Sequence, residues 1–235
     1  MTQETSTCTF AGRMDSSVLD FPPYICTVVF MSGCLFRCPF CFNTDVVLNT
    51  TGINYTESDI FSFLQKANGD FSERVIDAIC VSGGEPLLHT KQLVGFCRQA
   101  QELGYKVKLD TTLCGGDIND LLPYIDGVSI SLKAESRFLE LSRANILAVD
   151  QADMVFREIR LILTEENHKT IKEIYMQLIA EQVVTPKHWK LYTSHALTME
   201  NRFGDFTELE TEQLVEIYEH WPLKKNFATE TLVLL

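Results

Sequence analysis

The chain has 235 residues, 46% of them hydrophobic and 22% charged, a composition suited to a globular protein with one sizeable core. A formal charge of −12 excludes the dense Lys and Arg surface by which proteins hold nucleic acid or an anionic membrane. The opening MTQETSTC has no basic stretch leading into an apolar one, and the longest apolar run, Ile25 to Met31, is far too short for a bilayer, so a cytoplasmic protein is expected.

In chain order, Ile25–Met31 reads as a buried strand, followed by a cysteine-rich loop. Glu57–Ala67 has the pattern of a helix, and Val75–Val81 that of a second strand running into Ser82-Gly83-Gly84. From Lys91 a helical face carries Leu93, Phe96, Cys97, Ala100 and Leu103. Three alternating segments follow: Tyr105–Leu109, Gly127–Lys133, and the stretch in which Ile159, Leu161 and Leu163 oppose Glu158 and Arg160. Ile171, Ile174, Tyr175, Leu178 and Ile179 mark an amphipathic helix. Trp189–Thr193 is a sixth strand candidate, Thr207 and Glu210 suggest a capping box for a closing helix through Trp221, and Thr231–Leu235 suggests a last strand. From Leu197 onward eight Asp or Glu stand against three Lys or Arg, the composition of a solvated helix face or of a docking face for a basic partner.

Strands separated by helices imply parallel βαβ units. A parallel sheet is normally apolar on both faces, yet three middle strands here are polar on one. Lys108 and Asp110 share a face, as do Ser129, Ser131 and Lys133, and again Glu158 and Arg160. An open barrel with a polar lumen accommodates this, whereas a filled eight-stranded barrel does not. About six strand–helix pairs fit the chain, so the expectation is an α/β partial (β/α)6 barrel. It is read as a single domain over 1–235, with the core at about 24–195 and the closing helix and strand in 196–235.

The loop reads Cys34-Leu-Phe-Arg-Cys38-Pro-Phe-Cys41. Eight cysteines in a cytoplasmic chain suggest metal or redox work rather than disulfides, and three of them cluster here. Iron–sulfur clusters usually take four thiolates, so three leave one iron open to a small molecule. Structural zinc and three unrelated cysteines are the competing readings. Zinc sites are closed by four ligands, and the chain has no second C-x-x-C and no H-x3–5-H pair.

The CxxxCxxC spacing, with Phe40 just before the last cysteine, resembles the signature of the radical S-adenosylmethionine (SAM) superfamily. Gly83-Gly84-Glu85-Pro86 resembles its Gly-Gly-Glu-Pro motif. Within the superfamily the chain is most similar to the glycyl-radical-enzyme activating enzymes, in particular the longer activases of anaerobic ribonucleotide reductase. That similarity covers roughly Phe10 to His195, through Ser17-Val-Leu-Asp20, Lys106-Val-Lys-Leu-Asp110, Ser131-Leu-Lys133, Glu158-Ile-Arg160 and Leu191-Tyr-Thr-Ser-His195.

The resemblance implies a radical SAM barrel in which Cys34, Cys38 and Cys41 hold a [4Fe-4S] cluster and SAM chelates the open iron. Gly83, Gly84, Glu85, Pro86 and Asp110 would receive the SAM ammonium, Lys133 and Arg160 its carboxylate, Ser131 the ribose, and Phe40 and His195 the adenosine end. One electron, from a flavodoxin- or ferredoxin-type donor, would then yield a 5′-deoxyadenosyl radical that takes a glycine hydrogen from a partner glycyl-radical enzyme. No catalytic side chain beyond cluster and SAM is implied. Three positions depart from the group: Thr112-Leu-Cys114-Gly-Gly in place of Asn-Gly, Ser131 in place of Asp, and Phe42-Asn43 after the last cysteine. Two other functions compete: a small-molecule radical SAM enzyme akin to 7-carboxy-7-deazaguanine synthase, and a non-catalytic iron–sulfur protein for electron transfer or sensing.

Overall fold

A computed structural model describes residues 8–69, 74–196, 203–221 and 229–233. Two short strands, β1 (Thr9–Phe10) and β4 (Tyr55–Thr56), pair antiparallel outside the main sheet. The main sheet begins with an antiparallel hairpin of β2 (Gly12–Ser17) and β3 (Cys26–Met31). Parallel strands β5 (Ala78–Gly83), β6 (Lys106–Thr111), β7 (Gly127–Ser131), β8 (Phe156–Leu163), β9 (Lys190–His195) and β10 (Thr229–Val233) follow, each beside its predecessor. The sheet ends at β2 and β10 without closing, so the expected partial barrel is observed.

Helices α1 (Thr44–Leu48) and α2 (Glu57–Asn68) join β3 to β5, and α3 (Thr90–Glu102) joins β5 to β6. Helices α4 (Arg137–Gln151), α5 (His168–Ala180) and α6 (Thr211–Glu219) serve the last three crossovers. The crossover from β6 to β7 has no α-helix, only a 3-10 turn at Leu122–Tyr124. Asn145 of α4 holds that connection instead: its side chain accepts from Ile118 N–H and donates to the carbonyls of Leu113 and Gly116. The helix-facing residues of the strands, among them Ile79, Val81, Val107, Leu109, Val128, Ile130, Ile159 and Leu161, form one buried apolar core.

Several expected boundaries move. The second strand starts at Ala78, because Val75 and Ile76 are turned to bond the Asn68 side chain through their N–H groups. Leu103 lies past the end of α3 and is exposed, outside the buried face of that helix. The cap of α6 is Glu210, which exchanges hydrogen bonds with Gln213, while the N–H of Thr207 bonds Glu166 instead. This helix stops at Glu219, and the last strand starts at Thr229; Leu234 and Leu235 lie outside the described residues.

The lower end of the lumen is plugged. The loop joining β2 to β3 drops Phe21 into a small apolar cluster with Cys26, Val28, Ala78, Cys80 and Phe156. Gly127 makes the room: a Cβ there would lie 3.2 Å from the Phe21 ring and 3.0 Å from Phe156. Open chemistry is thereby confined to the carboxyl ends of the strands.

Candidate functional site

The thiol loop leaves the end of β3 and returns into α1. Cys34, Cys38 and Cys41 are free and partly exposed, whereas the other five cysteines are free and buried. The three line one cavity of about 330 Å³ at the strand ends, together with Phe40, Gly83, Gly84, Asp110, Ser131, Lys133, Arg160 and His195. A larger hollow of about 700 Å³ lies outside the barrel against α2 and α3 and shares no residue with this one. Eleven of the thirteen residues expected at the site are thus brought together. Glu85 and Pro86 are not: both are buried away from the cavity.

The glycine pair has a steric cause. Gly83 has φ of 112°, and a Cβ there would meet the backbone of Met31 at 2.5 Å. At Gly84 a Cβ would fall inside the carbonyl of Gly33. The end of β5 therefore passes directly against the thiol loop, which only residues without a side chain permit.

Below the cavity lies a layer of charge. Lys108, fully buried, pairs with Asp110 at 2.6 Å and donates to the Asp20 carbonyl of the hairpin loop. Arg160 pairs with Asp110 at 3.1 Å and with Glu158 at 2.5 Å, and Ser129 donates to Glu158 at 3.0 Å. Burial opposes ionisation here, but Arg160 and Lys108 hold the Asp110 carboxyl below the usual carboxylate range. Burial likewise opposes the charged form of Arg160, and Asp110 and Glu158 more than offset it. The polar strand faces do point into the lumen as alternation predicts. Lys108 is sealed by its partners beneath the cavity, whereas Asp110, Ser131 and Arg160 line it.

Lys133 differs. It lines the cavity, stands 5.8 Å over the Phe40 ring, and makes no ion pair among the described residues. His195 donates from Nδ1 to the Leu209 carbonyl at 3.0 Å, which leaves Nε2 a buried acceptor with no partner among the described residues. An unmet buried acceptor on a cavity wall is a place for a ligand donor.

The thiols suit a cluster. Burial pushes the Cys34 and Cys41 thiols up; the backbone N–H of Phe36 at Cys34 and of Asn43 at Cys41 oppose this most and Lys133 less, and both thiols stay above the usual range. Among the described residues no three His, Cys, Asp or Glu side chains stand close enough together to hold a single metal ion. A cluster asks for something else, one thiolate on each of three irons, and three free thiols around one cavity meet that demand.

Sequence reasoning missed Thr111, Thr112, Tyr192 and Ser194, which also line the cavity. Tyr192 and Ser194 were within reach, since they alternate with Leu191 and Thr193 on the strand face that continues from Arg160.

Residues 24–131 match a family model described as a 4Fe-4S single cluster domain. A protein of Methanocaldococcus jannaschii named for glycyl-radical enzyme activation is 32% identical over 126 residues, 52% of this chain and 49% of that one. The pyruvate formate-lyase-activating enzyme of Listeria monocytogenes is 37% identical over 94 residues, covering 40% of this chain and 37% of its own. That of Clostridium pasteurianum is 31% identical over 112 residues, 47% of each. The chain thus spans half or less of the length of these curated relatives. Among solved structures, Streptococcus suis SuiB superposes with a TM-score of 0.59 at 13% identity, over 88% of this chain and 48% of that one. A radical SAM methyltransferase from Sphaerobacter thermophilus gives 0.54 at 12% identity, over 91% and 67%. Both share the fold. No helix among the described residues is long and apolar enough to cross a membrane.

Proposed function

We propose that this chain, which resembles the glycyl-radical-enzyme activating enzymes and has the fold of radical SAM enzymes, installs a glycyl radical on a partner enzyme by reductive cleavage of SAM. The observation that carries the reading is the convergence of three free thiols, the Gly83-Gly84 backbone, Lys133 and His195 on one cavity at the strand ends. Cys34, Cys38 and Cys41 would hold a [4Fe-4S] cluster, which, with SAM bound to it, supplies one-electron cleavage of the sulfonium and a hydrogen-abstracting radical. Lys133, which makes no ion pair among the described residues, suits the SAM carboxylate. The Nε2 acceptor of His195 suits a donor at the adenosine end, with Phe40 nearby, and the Gly83-Gly84 backbone suits the ammonium. Asp110 and Arg160 are engaged with each other, so their service is to fix the floor on which Ser131 and the ligand rest.

The lumen charges favour a peptide substrate. Lys108, Asp110, Glu158 and Arg160 neutralise one another, leaving Ser131, Ser194, Tyr192, Thr112 and Ile162 as an uncharged lining. Such a wall fits a neutral glycine loop better than a charged small molecule, because Lys133, the lining cation with no ion pair among the described residues, is already assigned to the SAM carboxylate. Relatives named for glycyl-radical enzymes and for pyruvate formate-lyase support a partner of that class, and the narrower expectation of an anaerobic ribonucleotide reductase rests on the sequence motifs alone. We take the electron donor to be a flavodoxin or ferredoxin type, the compartment to be the cytoplasm, and the chain to act as one domain.

Two experiments test this. Reduced protein with its cognate partner is expected to give a glycine-centred radical by electron spin resonance, with deoxyadenosine formed about one to one with that radical. Deoxyadenosine accumulating over many turnovers with a small molecule, and no protein radical, would establish the small-molecule alternative. Lys133→Ala is expected to weaken SAM binding by about tenfold or more, the value of one charge-assisted contact, with iron content unchanged. Equilibrium binding to anaerobically reconstituted protein reads this directly, and undiminished affinity would remove Lys133 from the site.

A further inference from the structure

The segment from Gly83 to His89 touches three consecutive residues where β3 passes into the thiol loop. Gly84 N–H donates to the Met31 carbonyl at 2.8 Å, Glu85 N–H to that of Gly33 at 2.7 Å, and the His89 ring Nε2 to that of Ser32 at 2.8 Å. Because its partner is a carbonyl, Nε2 of His89 carries the proton. The same segment grips the end of β6. Glu85 is fully buried, and among the described residues no Lys or Arg pairs with it. Its Oε1 accepts from Leu87 N–H at 2.9 Å and from the Thr111 hydroxyl, and its Oε2 from Thr112 N–H at 2.7 Å and the Thr112 hydroxyl.

A carboxylate buried without a counter-cation is costly unless its oxygens are fully hydrogen-bonded, and these are. Capping the 3-10 turn Pro86–His89 would need only the contact to Leu87. The bonds to Thr111 and Thr112 exceed a cap, as does the reach of His89 to a different loop.

We propose that Glu85 and His89 are positioning residues: they form a strut that holds the thiol loop in register with the Asp110 end of β6. The role rests on the reading of Cys34, Cys38 and Cys41 as cluster ligands. It accounts for Glu85, which the motif suggested as a ligand contact but whose carboxylate faces inward. The strut ties the thiol loop to Thr111 and Thr112, which line the same cavity as the thiols.

The test is hydrogen exchange of the full-length protein before cluster loading, under anaerobic conditions, followed by the rate of cluster loss to an iron chelator after reconstitution. His89 is half-buried, so His89→Ala keeps the fold. Amides in residues 31–41 are expected to exchange about tenfold faster in His89→Ala, equivalent to about 1.4 kcal/mol, with α3 and β6 unchanged. His89→Gln, which keeps an N–H donor, restores the slow rate. Glu85→Gln, which loses an acceptor, speeds exchange in 31–41 and at Thr112 together. Once loaded, His89→Ala loses its cluster about tenfold faster than the unaltered protein. Unchanged exchange in both His89→Ala and Glu85→Gln would overturn the strut, as would acceleration spread evenly over α3 and β6. If the unaltered protein assembles no cluster, the functional reading fails, while the exchange experiment still decides the strut.

Discussion

Replacing Cys34, Cys38 or Cys41 singly with Ala is expected to abolish the iron–sulfur cluster, whereas Cys97→Ala is expected to leave about four irons and four sulfides per chain. Removing one of three thiolates leaves two irons without protein ligands, too few to retain the cluster against solvent. Cys97 is different in kind. It is fully buried in the helix-facing core, and burial raises its thiol far above the range in which a thiolate forms. Its loss costs packing and leaves the site alone. Iron and sulfide analysis after anaerobic reconstitution decides the matter. Stoichiometric zinc with no iron in protein purified without oxygen is the result that would sink the assignment.

Asp110→Asn has the largest expected effect on stability. Among the described residues Asp110 is the only carboxylate paired with Lys108, which is fully buried, and it shares Arg160 with Glu158. Without its charge, Lys108 keeps the Asp20 carbonyl and no counter-ion. Removing one member of a buried pair costs about 3–5 kcal/mol, roughly a 10 °C fall in Tm for a chain of this size. Iron content should not change, because Asp110 is no cluster ligand. The pH dependence has a definite sign. The folded carboxyl titrates below its unfolded value, so its contribution is present above about pH 4 and is lost as pH falls through the folded pKa. The variant should therefore lack part of the acid-side decline seen in the unaltered protein. Calorimetry across pH 3–7 measures both effects; equal Tm values would mean the layer does not hold the barrel. Any loss of SAM affinity in Asp110 variants is to be read alongside this loss of stability, which makes Lys133 the cleaner probe of the ligand.

What could be read in advance was whatever is local in sequence. The alternation in β6, β7 and β8 announces which residues face the lumen, and the spacing of the thiols announces their chemistry. Helix α4 escaped because its inward positions include Ser142, Asn145 and Asp150, whose side chains bond the Phe138 carbonyl, the β6–β7 connection and the Thr185–Trp189 segment. No apolar period survives such substitutions. Glu85 was assigned to the ligand because its hydroxyl partners lie 26 and 27 residues away, a relation no motif displays. Lys108 was put on the right face, but its burial depends on a carbonyl 88 residues earlier, delivered by a hairpin that alternation did not reveal.

The strictly sequential order of the strands also sets a timetable. A ribosome releases the chain from its N-terminus, so all three cluster thiols emerge while Glu85, His89 and Thr112 have yet to be made. The cysteine loop cannot take its final shape until the chain has reached Thr112 and β6 has docked beside β5. Lys133, which lines the same cavity as the thiols, comes later still. Metal delivered to the nascent loop would meet three loosely tethered thiols with nothing to select iron over a more thiophilic competitor. On the reading of these thiols as cluster ligands, the cluster would enter a barrel already built rather than the nascent loop.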